Sequence, residues 1–294
     1  MLPQFDFVEP SIPDEVCSFL VKWGIEAKII AGGTDLLPMM RERKLKPRYL
    51  VSIMGISELD HISCETVLKI GSTTRIRSIE KDPMIRKNYP ILGDAVDNFG
   101  SIQIRNMATI GGNICNGAPS ADMATPLICL EAIAKIRGPG GNRAIPLDDF
   151  FVAPGKTILE RGEILSEIII PETGQNTGGA YVKLMRRMAM DLPILGVSVQ
   201  IWLDEDLLVC KKVRIAMGVV GPIPIRARKA ENILQGAQVD KEIIEEAALA
   251  AIQDAQPRTS FRSTLEYRRD MIGVLLKRAV KLSLHRARNC GMSL

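Results

Sequence analysis

Two glycine pairs carry the clearest chemistry in this chain. The first lies in Ile29-Ile-Ala-Gly-Gly-Thr-Asp-Leu36, the second in Met107-Ala-Thr-Ile-Gly-Gly-Asn-Ile-Cys-Asn-Gly-Ala-Pro-Ser-Ala-Asp122. Glycine lacks a Cβ and reaches positive φ cheaply, so paired glycines let backbone N–H groups come close to a ligand. A phosphate is the usual partner of such a nest of donors. The second stretch has no Lys, Arg or Glu, and Met107, Ile110 and Ile114 flank its glycines. That pattern predicts a buried turn with bare amides, and Gly111-Gly112 argues against a smooth helix. A plain tight turn between core elements accounts for either pair alone. Lys28 to Ala31, however, predicts a buried strand, and Asp35 to Arg43 a short helix. Strand, glycine turn and helix together present free amides to an anion. Two such turns, offering several donors each, would grip the two phosphates of one dinucleotide. Neither is G-x-G-x-x-G, so a Rossmann domain loses its main sequence support.

Ala31-Gly-Gly-Thr-Asp-Leu-Leu37 with Gln103-Ile-Arg-Asn-Met-Ala-Thr-Ile-Gly-Gly-Asn113 resembles the FAD-binding (medium) subunit of the molybdenum hydroxylases. That family includes xanthine dehydrogenase, carbon monoxide dehydrogenase, nicotinate dehydrogenase and 4-hydroxybenzoyl-CoA reductase. Two later stretches match as well: Tyr181-Val-Lys-Leu-Met-Arg-Arg187, and Gly221-Pro-Ile-Pro-Ile-Arg-Ala-Arg228 followed by Tyr267-Arg-Arg-Asp-Met271. One departure is Phe261-Arg-Ser-Thr-Leu-Glu-Tyr267 in place of the more usual Arg-Gly-Ser-Ala-Glu-Tyr, which puts in question the geometry before the last helix. The resemblance implies FAD as cofactor, lined by Ile29, Ile30, Ala31, Gly32, Gly33, Thr34, Asp35 and Leu36, and by Thr109, Ile110, Gly111, Gly112 and Asn113. It further implies Phe99-Gly100 near the adenine, a carboxylate of Asp122 on the cofactor, a backbone contact at Leu165, and Lys183 beside the flavin. Met188-Ala-Met-Asp191 resembles the loop bordering the flavin on the side where NAD would dock.

Several of these residues have a plainer reading. Asp122 suits the N-cap of a helix starting at Met123. Phe99 suits an ordinary core, and Lys183 a solvated lysine on a strand edge. Alternation places Tyr181, Lys183 and Met185 on one strand face. Cys115 is either a thiol beside the cofactor or a small buried side chain.

The function implied by the resemblance is electron transfer. A large molybdopterin-bearing subunit would hydroxylate the substrate, and a small subunit with two-iron two-sulfur clusters would relay electrons to FAD here. NAD or another acceptor would then receive them. No catalytic dyad or triad for a carbon substrate is visible in this chain, so no residue is assigned a catalytic role. A stand-alone FAD-dependent oxidase or dehydrogenase is the rival, and a non-enzymatic nucleotide sensor a third possibility.

Composition narrows the alternatives. The chain has 294 residues and a net charge of only +4, which gives no electrostatic case for nucleic acid as a partner. Six cysteines (Cys17, Cys64, Cys115, Cys129, Cys210 and Cys290) lack C-x-x-C spacing, and the two histidines are His61 and His285. A metal or cluster site in this chain is therefore not expected. Nor does a cysteine group for an extra cluster appear, which argues against the 4-hydroxybenzoyl-CoA reductase branch. No run of about 18 apolar residues suggests a membrane span, and Met1-Leu-Pro-Gln-Phe-Asp6 does not look like a secretory signal. A cytoplasmic protein is expected.

The elements that must position these groups read as α+β. Ser11 caps a first helix with Val16, Phe19, Leu20 and Trp23 on one face and Gly24 past its end. Tyr49 to Ile53 reads as a strand, completing a β-α-β lobe. A second lobe offers strands at Val67 to Ile70 and Gly162 to Ile170. Its helices are expected at Arg75 to Lys81 (stopped by Pro83), Leu92 to Phe99 and Met123 to Ala132, with a hairpin turn at Gly138 to Gly141. Gly174 to Gly179 is read as a linker. Beyond it, Ala180 to Arg186, Ile194 to Leu203 and Val209 to Val220 predict an antiparallel meander. Helices follow at Ala227 to Gln235, Lys241 to Ala255 and Leu265 to Arg288. The last carries many arginines and lysines, including Arg268 and Arg286, expected on a solvated face or a subunit contact. Residues 1–175 would form a two-lobed FAD-binding domain (lobes 1–56 and 57–175) of the vanillyl-alcohol-oxidase-like type. Residues 176–294 would form a small antiparallel sheet with helices.

Overall fold

The computed structural model describes residues 2–187 and 189–289. Met188 and Cys290, both considered above, lie outside the described residues.

The first lobe contains strand β1 (Asp6–Val8), helix α1 (Pro13–Trp23), strand β2 (Ala27–Ile30), helix α2 (Leu36–Arg41) and strand β3 (Tyr49–Ser52). Its sheet runs β1-β3-β2, all parallel, so β2-α2-β3 is the expected β-α-β unit. Val16, Cys17 and Leu20 of α1 pack with Val51, Ile53 and Ile56 in a core of their own. Helix α1 begins at Pro13, whose fixed φ and missing N–H suit a first helical position. The cap position is therefore Ile12, not Ser11. Ser11 contributes by its N–H, which donates to Glu15 at 2.8 Å.

The second lobe opens with β4 (Ile62–Cys64), β5 (Leu68–Gly71), α3 (Ile76–Lys81), α4 (Pro83–Asn88), α5 (Pro90–Asp97) and α6 (Ile102–Met107). It continues with α7 (Ile110–Cys115), α8 (Ala124–Cys129), β6 (Ile133–Gly138), β7 (Gly141–Pro146), β8 (Phe151–Ala153), β9 (Lys156–Thr157) and β10 (Ile164–Ile170). Five strands form an antiparallel sheet ordered β4-β5-β10-β6-β7. Pro83 does more than stop α3. It starts α4, whose first turn is capped by the Asp82 carboxylate accepting from Ile85 N at 2.9 Å.

The last third comprises β11 (Thr177–Leu184), β12 (Leu195–Leu203), β13 (Cys210–Gly218), β14 (Ile225–Arg226), α9 (Arg228–Leu234), α10 (Lys241–Asp254) and α11 (Leu265–Arg288). The strands form the predicted meander in chain order, with helices packed against it around a separate core. The architecture is α+β: a two-lobed domain followed by an antiparallel sheet with helices.

Three further expectations fail for physical reasons. Thr177, Gly178 and Gly179 are strand, not linker, and all three are buried. Their glycines serve close packing: a Cβ on Gly178 would sit 2.1 Å from the Ser283 carbonyl oxygen and 2.4 Å from Ala287 N of α11. Gly111-Gly112 lies inside α7 and does not interrupt it, because a capping threonine and packing against neighbouring backbone override glycine's weak propensity. Arg268 is not solvated. It is buried and donates to the carbonyls of Ile194 (2.8 Å) and Val219 (3.1 Å) and to Ser260 Oγ (2.9 Å).

Candidate cofactor site

The first glycine turn leaves β2 and enters α2. Gly33 has φ +68°, a conformation L-residues rarely adopt, and its carbonyl accepts the first helical bond from Leu37 N at 3.0 Å. Between those points the backbone is unsatisfied. Among the described residues, none of the N–H groups of Gly32, Gly33, Thr34, Asp35 and Leu36 donates to a protein acceptor. Asp35 is exposed and makes no side-chain cap, so the helix start is left to whatever the amides face. Ile29 and Ile30 hold the turn from below as paired residues of β2.

The second turn is built differently. The N–H of Ile110 donates to Thr74 O (3.0 Å) and that of Gly111 to Ser72 O (2.9 Å). Gly112 N donates to Thr109 Oγ1 (3.0 Å) and Asn113 N to Thr109 O (3.0 Å). The expectation that this turn offers several free amides is therefore overturned. Its donors are consumed in bracing α7, because Thr109 is a side-chain N-cap. Gly111 is required by contact: its Cβ would lie 2.5 Å from Ser72 O and 2.7 Å from Ser72 Cβ. Ser72 in turn donates its N–H to Ser166 O (3.0 Å), at the bulge in β10. What this turn presents outward is the exposed backbone of Gly112 and the half-buried Asn113, whose Oδ1 accepts from Met123 N at 3.2 Å.

The two turns meet. A Cβ on Gly32 would come within 1.9 Å of Met107 O and 2.6 Å of Met107 C. Only glycine allows this approach of the first lobe to the backbone at the mouth of the second turn.

A second group of predicted residues gathers around Asp122. Asp122 is 6% exposed, and its Oδ1 accepts from the Tyr181 hydroxyl at 2.8 Å. Its Oδ2 accepts from Lys183 Nζ at 3.0 Å. The carboxylate does not cap α8, whose N-cap position is Met123 with no side-chain bond. Burial pushes the Asp122 carboxyl above the usual carboxylate range, with Lys183 and Tyr181 pulling it back down. Burial and the neighbouring carboxylate push the Tyr181 phenol well above its ordinary value. Lys183 is no solvated edge lysine: its side chain is 0% exposed and also donates to Asn98 O at 2.8 Å. An ammonium has three donors, and one is left without a protein acceptor among the described residues.

The remaining candidates are scattered around this core. Phe99 is buried among the apolar side chains of the second lobe. Gly100 (φ +49°) accepts Met190 N at 3.0 Å, tying the segment before the second turn to the loop that follows β11. In that loop Asp191 accepts from the N–H groups of Arg186 (2.7 Å) and Arg187 (3.2 Å). Leu165 is buried on β10 beside the Ser166 bulge. Cys115 packs on the same core, and burial pushes its thiol up to about 12, which removes the nucleophilic thiolate at neutral pH.

Two features escaped the sequence. Ser72 and Thr73 carry buried hydroxyls with no hydrogen-bond partner, next to Gly111. Asn98 O receives Lys183, which no side-chain pattern signals. The face shared by Tyr181 and Lys183 was legible from their i, i+2 spacing. Among the described residues no three His, Cys, Asp or Glu gather in a metal-holding group, and no helix is long and apolar enough to cross a membrane.

These residues suit an anionic dinucleotide. The first turn has free amides and a positive-φ glycine, the second an exposed glycine backbone, and a buried ammonium has a donor to spare. Comparison with known proteins agrees. Residues 3–173 match the family described as the FAD binding domain in molybdopterin dehydrogenase. Residues 180–282 match the CO dehydrogenase flavoprotein C-terminal domain. The xanthine dehydrogenase FAD-binding subunit of Escherichia coli O157:H7 is 36% identical over 258 residues, covering 87% of this chain and 88% of that subunit. The carbon monoxide dehydrogenase medium chain of Hydrogenophaga pseudoflava is 34% identical over 279 residues, covering 95% of this chain and 96% of that one. The solved carbon monoxide dehydrogenase from that organism has a TM-score of 0.94 at 34% identity, over 97% of this chain and 99% of that chain.

Proposed function

Because this chain belongs to the FAD-binding subunits of the molybdopterin dehydrogenases, we propose that it is the electron-exit subunit of a multi-subunit molybdenum hydroxylase. Its source of electrons is a small partner with two-iron two-sulfur clusters. A large molybdopterin-bearing partner hydroxylates the substrate, and NAD or another soluble acceptor takes the electrons away. Similar proteins carry names that fit this division of labour, among them the medium chain of carbon monoxide dehydrogenase and a subunit of the 6-hydroxypseudooxynicotine dehydrogenase complex.

FAD, when bound, couples one-electron donors to a two-electron acceptor. The chain's own residues do the rest. Gly32 to Leu36 offer their amides to the pyrophosphate, each such bond to a charged acceptor contributing about 1.5–3 kcal/mol. Gly112 gives that group room from the other side, and Asn113 offers its side-chain amide. Asp122 and Lys183, paired at 3.0 Å, would border the ring system, and the spare Lys183 donor would be offered to its electron-rich atoms. Phe99, Gly100 and Leu165 complete the walls.

The observation that carries this proposal is the Gly32–Met107 approach, which sets the first turn against the backbone that leads into the second. The purified chain is expected to be yellow, with about one FAD per polypeptide. Gly33→Val strains the positive φ of the first turn, and Gly112→Val puts a branched side chain on its exposed partner surface. Each should bleach the protein, as read from absorbance per polypeptide; unchanged FAD in both variants would refute the assignment. Purification from the native host should bring down a large molybdenum-containing subunit. Recovery as a lone monomer that turns over an organic donor would favour a stand-alone oxidase.

A further inference from the structure

We propose that Tyr181 is a positioning residue for the flavin, its hydroxyl fixing Asp122 and, through Asp122, the Lys183 ammonium. The proposal rests on the FAD placement argued above and extends it to a residue that contributes no atom to the cofactor.

The geometry is a closed ring of hydrogen bonds. Asp94 Oδ2 accepts from Tyr181 N at 3.0 Å, and the Tyr181 hydroxyl donates to Asp122 Oδ1 at 2.8 Å. Asp122 Oδ2 accepts from Lys183 Nζ at 3.0 Å, which also donates to Asn98 O at 2.8 Å. Asn98 Nδ2 closes the ring by donating to Asp94 O at 2.9 Å. Arg286 of α11 clamps Asp94 from outside with two bonds, at 2.6 and 2.9 Å. Tyr181 joins the two carboxylates of the ring, Asp94 by its backbone N–H and Asp122 by its hydroxyl.

The fold makes room for this arrangement. Gly196 lies opposite Lys183 in the β11–β12 ladder. A Cβ there would come 2.9 Å from the Tyr181 hydroxyl oxygen and 3.0 Å from its ring. The phenol thus leans across bare backbone to reach Asp122.

Removing the hydroxyl leaves one Asp122 oxygen unpaired in a buried site, where an unsatisfied carboxylate is costly. A proton is the available remedy, because burial already pushes this carboxyl upward and Tyr181 is one of two groups holding it down. The charged and titratable groups around it are Lys183 and Tyr181 on β11, with Asp94 across the ring and Arg286 clamping Asp94 from outside. With Asp122 protonated, the Lys183 charge loses its counter-ion. An uncompensated cation favours the more negative, reduced form of a neighbouring flavin.

The test uses the FAD-bound chain and compares Tyr181→Phe with the parent protein. The readouts are FAD per polypeptide and the flavin midpoint potential followed across pH. Tyr181→Phe is expected to keep its FAD and to shift the potential to more positive values, with the shift growing as pH falls. In Tyr181→Phe/Lys183→Gln, measured against Lys183→Gln alone, that shift should vanish. Gly196→Ala supplies an independent route, since its new methyl group displaces the hydroxyl from Asp122 and should reproduce the effect. An FAD-replete Tyr181→Phe with the parent potential and pH profile overturns the proposal. So does a folded variant that has lost its FAD, because Tyr181 then belongs to the binding frame. If Tyr181→Phe does not fold, Gly196→Ala decides by the same criteria. Failure of the underlying FAD placement would be seen separately, as a parent protein without FAD.

Discussion

The two glycine turns look alike in sequence and are opposites in structure. The first leaves its amides from Gly32 to Leu36 free of protein acceptors and bends through a positive φ. The second spends its amides on Thr74, Ser72 and Thr109, and its Gly111 fits against Ser72. One keeps its donors open and the other is braced. A Gly-Gly pair therefore states only that something comes close. For Gly32 that something is the Met107 carbonyl; for Gly111 it is Ser72.

Three substitutions sharpen or break this contrast. The largest effect is expected from Gly32→Ala. A methyl group 1.9 Å from Met107 O meets backbone that cannot swing aside. The lobes must part, at the upper end of the usual overpacking cost of about 1–3 kcal/mol. Thermal melting and FAD content should both fall, and a stable, yellow Gly32→Ala would show that the lobes are not held in register here.

Next in size is Glu80→Gln. Glu80 accepts from Arg105 at 2.7 and 3.3 Å and pairs with Arg77, fixing the helix that ends at Met107. Burial alone would raise this carboxyl, yet hydrogen bonds from Arg77 and Arg105 hold it below its usual range. Its contribution is thus complete above the ordinary carboxylate range and disappears as pH falls through the lowered folded value. Denaturant titration should show a loss of about 1.5–3 kcal/mol at neutral pH, with the variant and the parent converging in acid. A difference that persists in acid would mean that the charge is not what Glu80 supplies.

The smallest is Thr109→Ala, which removes the cap on α7 and should cost about 1 kcal/mol, largely restored by Thr109→Ser. If the second turn were a nest like the first, this change would weaken FAD binding without altering the melting temperature.

Much of the molecule was legible. The meander, the β-α-β lobe and the three last helices followed from hydrophobic period and turn residues. Both glycine sites were visible because close approach leaves a mark on residue type. What each glycine approaches leaves none. Ser72 lies far from Gly111 in sequence, so nothing local distinguishes a free amide from a spent one. Gly178 and Gly179 were read as a linker for the same reason: flexible chain and tight backbone packing both select glycine. The strand β1 (Asp6–Val8) is too short for alternation to reveal, and β3 is its partner only in the folded chain. The solvated readings of Lys183 and Arg268 failed because a cation's burial depends on acceptors, here Asn98 O, Ile194 O and Val219 O, that are carbonyls common to every sequence.

The bare seam between β11 and α11 has a bearing on how such proteins diversify. Where Gly178 meets Ser283 and Ala287, main chain rests on main chain, with no side-chain cushion to absorb a mismatch. The final helix is thereby keyed to β11, and Ser283 Oγ ties it to β12 as well by donating to Val199 O at 3.0 Å. Hybrids that exchange the C-terminal third with a distant cousin must carry strand and helix together, and a junction placed between them should yield insoluble protein.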